Sequence, residues 1–175
     1  MTLSDYKAYA EQCATRNKSI QHTPTSKHFT VFTAEDALSE LKSIKSPVLA
    51  AELPRIRLGD SLSDNVHTIM DGAFLIIKKA KQGDSTEVIT AYEEMFVIAM
   101  QVLTKIKNDR SFANEPGRSS PEKLIKNLRL QDVSIVDVGP VFDSYYGWRI
   151  DFPFQSTINL ELDESKWDNE IKFSE

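Results

Sequence analysis

The stretch YYGWRIDFPFQSTINLEL, residues 145–162, decides the fold. Trp148, Ile150, Phe152, Phe154, Ile158, Leu160 and Leu162 all fall on even positions. Arg149, Asp151, Gln155, Thr157, Asn159 and Glu161 fall on the odd ones. Period two sustained over this length predicts a strand with one apolar face, because successive side chains of a strand point to opposite sides. Pro153 stands on the polar face and has no N–H to give a ladder, so it marks an edge or a bulge. A second alternating run, Val133–Val141, precedes it, and the turn near Phe142–Ser144 makes the two a long C-terminal β-hairpin.

Working outward, the clearest helix starts at Asp84 or Ser85, with Glu87 in its first turn. Val88, Tyr92, Met95, Phe96, Ala99, Val102, Leu103 and Ile106 recur at three- and four-residue steps, the mark of an amphipathic helix. Lys105, Lys107 and Arg110 suit the negative end of its dipole. Residues 108–119 read as a loop, and Ser120-Pro121-Glu122 as the start of a short helix. Upstream, 65–79 and 47–53 read as strands, the first interrupted by Gly72, which predicts a bulge or bend. The segment 54–65 between them, PRIRLGDSLSDN, reads as a turn.

Nearer the start, 28–32 reads as a short strand. Thr33 and Asp36 have capping-box spacing before a short helix through Ala37, Leu38, Leu41 and Ile44. That helix ends near Ser46-Pro47, since a residue before proline is pushed out of the α region. A first helix is expected at 3–15, capped by Ser4 or Asp5, and 16–27 is a polar, mobile loop. The fold class is therefore α+β: a mostly antiparallel sheet with a long C-terminal hairpin packed on one long amphipathic helix and shorter helices. One domain covers 1–175, with 1–27 as helix plus mobile segment, 28–167 as core and 168–175 as tail.

Composition supports a globular chain: 41% hydrophobic and 27% charged over 175 residues. A net charge of −5 argues against specific nucleic-acid binding, which relies on clustered Lys and Arg. Cys13 is the only cysteine, so no internal disulfide forms and a reducing compartment fits. The opening MTLSDYKAYAEQ lacks a basic-then-apolar pattern, and no apolar run is long enough to span a bilayer. The expectation is a protein without a signal peptide or membrane segment, cytoplasmic by default.

Candidate chemistry is sparse. His22, His28 and His67 stand alone, without the helical spacing or cysteine pairs of a metal site. Cys13 lies on the apolar side of its helix, where a thiol behaves as a small hydrophobe. The six glycines form no phosphate loop, dinucleotide turn or nucleophile elbow. Glu93 and Glu94 are adjacent on a helix and do not face each other. Asp71, beside Gly72 in an apolar run, is the one carboxylate whose ionisation invites attention. The reading is no catalytic residue, no cofactor and no metal. Tyr145, Tyr146 and Trp148 crowd the hairpin tip, with Trp167 beyond its end. The tryptophans are expected to close the core, whereas the tyrosines suit core or partner contact equally, since Tyr is enriched in interface hot spots. The candidate interface is Tyr145, Tyr146, Arg149 and Pro153.

Gly147-Trp148-Arg149-Ile150 and Phe152, followed by Asp163 and Trp167 and preceded by the turn Asp143–Tyr146, resemble the closing strand of tail-terminator and tail-completion (head-tail joining) proteins of long-tailed bacteriophages and prophage-like elements. The likeness covers roughly 47–167 in element order and the last thirty residues in motif. It implies a structural protein without an active site, a subunit of a self-associating ring, with a hexamer as the candidate size. Such a ring terminates the tail tube, contacts tube and neck or connector proteins, and belongs to the virion after assembly in the bacterial cytoplasm. The alternative is a monomeric host adaptor or ligand-binding domain without catalytic activity, and an enzyme with an unrecognised site ranks third.

Overall fold

The computed structural model describes residues 2–33, 41, 43–59, 67–117, 124–142 and 144–157. Most of the expected helix at 37–44, the start of the one at 120, the strand continuation 158–162, Trp167 and the tail 168–175 lie outside them. Among the described residues the elements are α1 (Leu3–Arg16), β1 (Phe29–Phe32), β2 (Val48–Gly59), β3 (His67–Lys79) and α2 (Ser85–Phe112). Two 3-10 turns follow (Leu124–Asn127 and Leu130–Asp132), then β4 (Ser134–Val141) and β5 (Tyr145–Thr157).

The alternation at 145–154 is realised in β5, whose even residues Ile150, Phe152 and Phe154 are buried. The strand order is β1-β2-β3-β5-β4, with β1 and β2 parallel and all other neighbours antiparallel. β5 is thus an inner strand. It pairs with β3 along its whole described length, Tyr145 opposite Lys79 to Thr157 opposite His67. Its hairpin partner β4 reaches only from Val141 to Ser134, opposite Asp151. Pro153 comes after that last partner, where β5 has a described neighbour only in β3, and so stands at a locally open edge.

Both helices lie on one face of the sheet. α1 contributes Tyr6, Tyr9, Ala10, Cys13 and Ala14, and α2 contributes Met95, Ile98, Ala99, Val102 and Ile106. These meet Leu49, Ala51, Met70, Phe74, Ile76, Ile150, Phe152 and Phe154 from the strands. Phe74 and Phe152 meet edge-to-face at 4.6 Å between ring centres. The opposite face carries a smaller cluster of Phe32, Leu41, Ile44, Val48, Ala50, Leu75, Ile77 and Tyr145.

Several local expectations shift. α1 is capped by Thr2, not Ser4 or Asp5: Thr2 Oγ1 accepts from the Asp5 N–H at 3.1 Å, and the Asp5 carboxylate accepts from the Thr2 N–H at 3.0 Å. A capping box needs an extended residue three positions before the carboxylate, and Thr2 is that residue. The loop 17–28 is packed by buried Ile20 and His22. α2 runs on to Phe112, into the stretch read as loop, because no helix breaker stands before Pro116. The largest correction is at 54–59. The segment read as turn continues β2 as far as Gly59, paired with β3. Pro54 does not end the strand because a register shift between Glu52 and Arg55 absorbs it.

That bulge lies opposite Gly72 rather than at it, and the β3–β5 register passes through Gly72 unbroken. A Cβ on Gly72 would stand 2.8 Å from the Tyr6 ring. Glycine is needed there because the tyrosine ring lies directly on the strand. The Tyr6 hydroxyl lies within hydrogen-bond distance of the carbonyls of Glu52 (2.9 Å) and Ala73 (3.1 Å), with one proton to give between them, and accepts the Ala73 N–H at 3.3 Å. Gly147 has the other such constraint, since a Cβ there would meet the Ile76 carbonyl oxygen at 2.1 Å.

Candidate functional site

The bulge changes which β2 residues face which side. Before it, Leu49 and Ala51 pair with Ile76 and Phe74 on the helix side. After it, Ile56 and Leu58 pair with Met70 and Thr68 on that side, while Arg55 and Arg57 pair with Asp71 and Ile69 on the other. The sheet therefore has a lower end, made of β2 55–59, β3 67–71 and β5 153–157.

On the side away from the helices this lower end forms a cleft of about 580 Å³. Glu52, Ala73 and Asp151 stand in one row across β2, β3 and β5. The small Ala73 side chain leaves room for Arg149 to reach across β3. Its Nη1 donates to Glu52 at 2.5 Å and its Nε to Asp151 at 2.7 Å. In the next row Arg57 grips Asp71 with two bonds, Nε at 2.7 Å and Nη2 at 3.2 Å. Pro153 closes the rim, and Arg55 also lines the cleft without an ion pair among the described residues.

Partial burial lowers the Arg149 pKa, but the Asp151 hydrogen bond and the Glu52 charge more than offset it, so the net shift is upward. The hydrogen bond to Asp71, then its charge, also raises Arg57. The cleft is a lattice of cross-strand ion pairs, with Asp71 held by a guanidinium. Side chains of this kind are able to hydrogen-bond charged or polar groups.

The helix-side surface of the same end is apolar and uncovered. Ile56 is 56% and Leu58 61% exposed. β1 pairs with β2 only over Leu49–Glu52, so residues 55–59 have no described strand on their outer side. A second exposed apolar group lies on α2, at Ile89, Phe96, Val97 and Met100.

The four candidate interface residues separate. Arg149 and Pro153 line the cleft. Tyr145 and Tyr146 are only 8% and 6% exposed and belong to the core of the chain itself. Tyr145 packs in the cluster away from the helices, its hydroxyl 3.3 Å from the Leu41 carbonyl. Tyr146 points the other way, beneath α2, with Ala80, Ala91 and an edge-to-face contact to Tyr92. Consecutive strand residues point oppositely, and the sheet is covered on both faces at that height, so neither ring is a free anchor. Trp148 joins the main core and donates its Nε1–H to the Tyr92 carbonyl at 2.9 Å.

His22 is buried and stands edge-on against Phe29 at 5.7 Å. Its Nδ1 accepts the His28 N–H at 3.1 Å. Burial, against the opposing pull of Lys105, pushes the Cys13 thiol up to about 12, as an inert core thiol would be. Among the described residues no three His, Cys, Asp or Glu side chains are placed to hold a metal ion, and no helix is long and apolar enough to cross a membrane.

Glu52, Arg55, Ile56, Arg57 and Leu58 were missed as site residues. Their signal was the alternation R-I-R-L at 55–58, overridden by the turn residues Pro54 and Gly59 on either side. No protein-family model, curated protein or solved structure matches this chain.

Proposed function

We propose that this chain is a structural assembly protein of a phage or prophage-like tail, whose copies close a ring that ends the tail tube and joins it to the neck or head. The observation that supports this is the lower end of the sheet. A strand edge without a described neighbour, bearing Ile56 and Leu58 exposed to water, is a surface that invites another chain. The motif residues carry less weight, because Gly147, Arg149 and Phe152 each serve the sheet of this chain directly. Ring closure needs a head-to-tail contact between copies, and an open strand edge supplies one half of it. In this reading polymerisation stops because one side of the ring matches the tube end and the other does not. The acidic balance of the chain weakens adhesion to DNA passing through.

Sizing of the purified chain with mass detection tests this. A ring-sized particle, and decoration of tube ends in electron micrographs, are expected. A strict monomer at high concentration would overturn the reading. It would favour a monomeric adaptor or ligand-binding domain, for which the cleft around Arg149 and Arg55 is the supporting observation.

A further inference from the structure

α2 has two apolar sides, and the fold uses only one of them. Met95, Ile98, Ala99, Val102 and Ile106 enter the core. Ile89, Phe96, Val97 and Met100 instead remain between 42% and 57% exposed. Steps of three, four and seven residues separate these four, so they line one side of the helix as a single stripe. Half-buried Leu103 extends it by one more step.

The stripe is held in place from both flanks. Phe96 leans on the Trp148 ring at 5.1 Å between centres, and the Trp148 Nε1–H is fixed on the Tyr92 carbonyl. On the other flank Lys78 donates to Glu94 at 2.5 Å, and Gln101 accepts from Asn17 at 3.1 Å. A partner therefore meets a surface that is already ordered, which lowers the entropy cost of binding.

The charges along α2 point to that partner. Glu87, Glu93 and Glu94 precede Met100, whereas Lys105, Lys107 and Arg110 follow it. Asp109, the exception in the second half, is engaged by Lys105 and the Tyr9 hydroxyl. Glu93 and Lys107 stand seven residues to either side of Met100, close to two helical turns, and so fall in the same stripe. Both are exposed, and neither has an ion-pair partner among the described residues. Laid antiparallel on a second α2, with Met100 against Met100, each Glu93 meets a Lys107 and each Val97 a Leu103. The helix dipoles then oppose as well. A parallel pair would instead set glutamate on glutamate and lysine on lysine. The stripe is complementary to itself under a two-fold axis, as an isologous contact requires.

We propose that α2 pairs with the α2 of a second copy, antiparallel about Met100. Phe96, Val97, Met100 and Leu103 are buried between the helices, and Glu93 bonds Lys107 at each end. The contact goes beyond the ring reading and does not depend on it. It lies on α2 rather than at the strand edge, and it closes on itself as a pair.

The test uses full-length chains and light scattering over a concentration series. Val97→Glu with Met100→Glu should weaken association on the order of 100-fold, since two apolar contacts per copy are replaced by repelling acids. Thermal melts should not move, because both positions are exposed and glutamate suits a helix. Charge variants test the register without touching the stripe's apolar residues. Glu93→Lys alone and Lys107→Glu alone should each weaken association about 10-fold. Their equal mixture should recover it, because the substituted lysine then faces the substituted glutamate and unlike charges meet at both ends. A parent that stays monomeric overturns both this pairing and the ring reading. A parent dimer that the Val97/Met100 variant dissociates bears out the pairing and overturns the ring. A larger parent particle that the variant halves in mass bears out the pairing and leaves the ring standing. An associating parent whose variant associates as tightly overturns the pairing alone. So does a folded pair of charge variants that fails to recover on mixing.

Discussion

The two ends of the sheet follow the same strand alternation and differ in what lies on them. At the upper end, rows running through Ala50, Leu75 and Arg149 or through Leu49, Ile76 and Trp148 have helices on one side and a second apolar cluster on the other. At the lower end the bulge in β2 turns Ile56 and Leu58 toward the helix side where they stay exposed, and the opposite side is held by ion pairs. Packing therefore secures one end, whereas the other keeps apolar side chains in water. A substitution at the upper end should unfold the chain, and one at the lower end should alter only what it binds.

Phe74→Ala should show the largest effect. Its ring is fully buried among Tyr6 and Phe152, and its loss should destabilise by about 3–5 kcal/mol in urea unfolding. A loss below about 1 kcal/mol would mean that the upper end is loosely packed.

Gly72→Ala comes next, at about 1–3 kcal/mol, because the new methyl drives into the Tyr6 ring. Tyr6→Phe on the same footing should cost about 1 kcal/mol, since the hydroxyl's hydrogen bonds to the backbone at the bulge are lost. If the two substitutions together are additive, the ring and the glycine do not act as one joint.

A pH series sharpens the same contrast. Burial raises the pKa of Tyr6, Tyr9 and Cys13, so all three stay neutral in the fold and ionise at lower pH when unfolded. The stability they lend is complete below about pH 9 and falls as pH rises toward 12. Urea midpoints should be flat from pH 7 to about 9 and drop beyond. An unchanged midpoint at pH 11 would contradict the buried placement of these groups.

The smallest change in stability is expected at the lower end. Ile56→Thr should stay within about 0.5 kcal/mol in the monomer. Arg57→Ala, whose guanidinium stands in water, should leave the melting temperature unmoved, and salt should matter little to either. A clear destabilisation by either would move the lower end into the core and remove the basis for a contact surface there.

Much of the fold was legible because its signals are local. The even positions of β5, the 3.6-residue recurrence in α2 and the helix start at Asp84 all name their own burial. The site was less so. The carboxylate singled out, Asp71, does sit in the cleft, and so do Arg149 and Pro153. Glu52 and Arg57 could not be tied to them from order alone, since Arg149 reaches Glu52 across the whole width of β3. Tyr145 and Tyr146 were ambiguous because adjacent strand residues face opposite ways, and whether both ways are covered depends on elements far off in the chain.

By itself, then, the sequence determined the element types, the apolar face of β5 and the absence of a motif with evident chemistry. Only the tertiary structure decided that β5 is an inner strand, that Pro54 sits in a bulge rather than a turn, and that the tyrosines at the tip are core. The reason is physical. Periodicity reports which side of an element is apolar, but a proline in a strand is tolerated or not according to the register of its neighbour. The parity of Ile56 and Leu58 was set by that register, and with it the face they present to water.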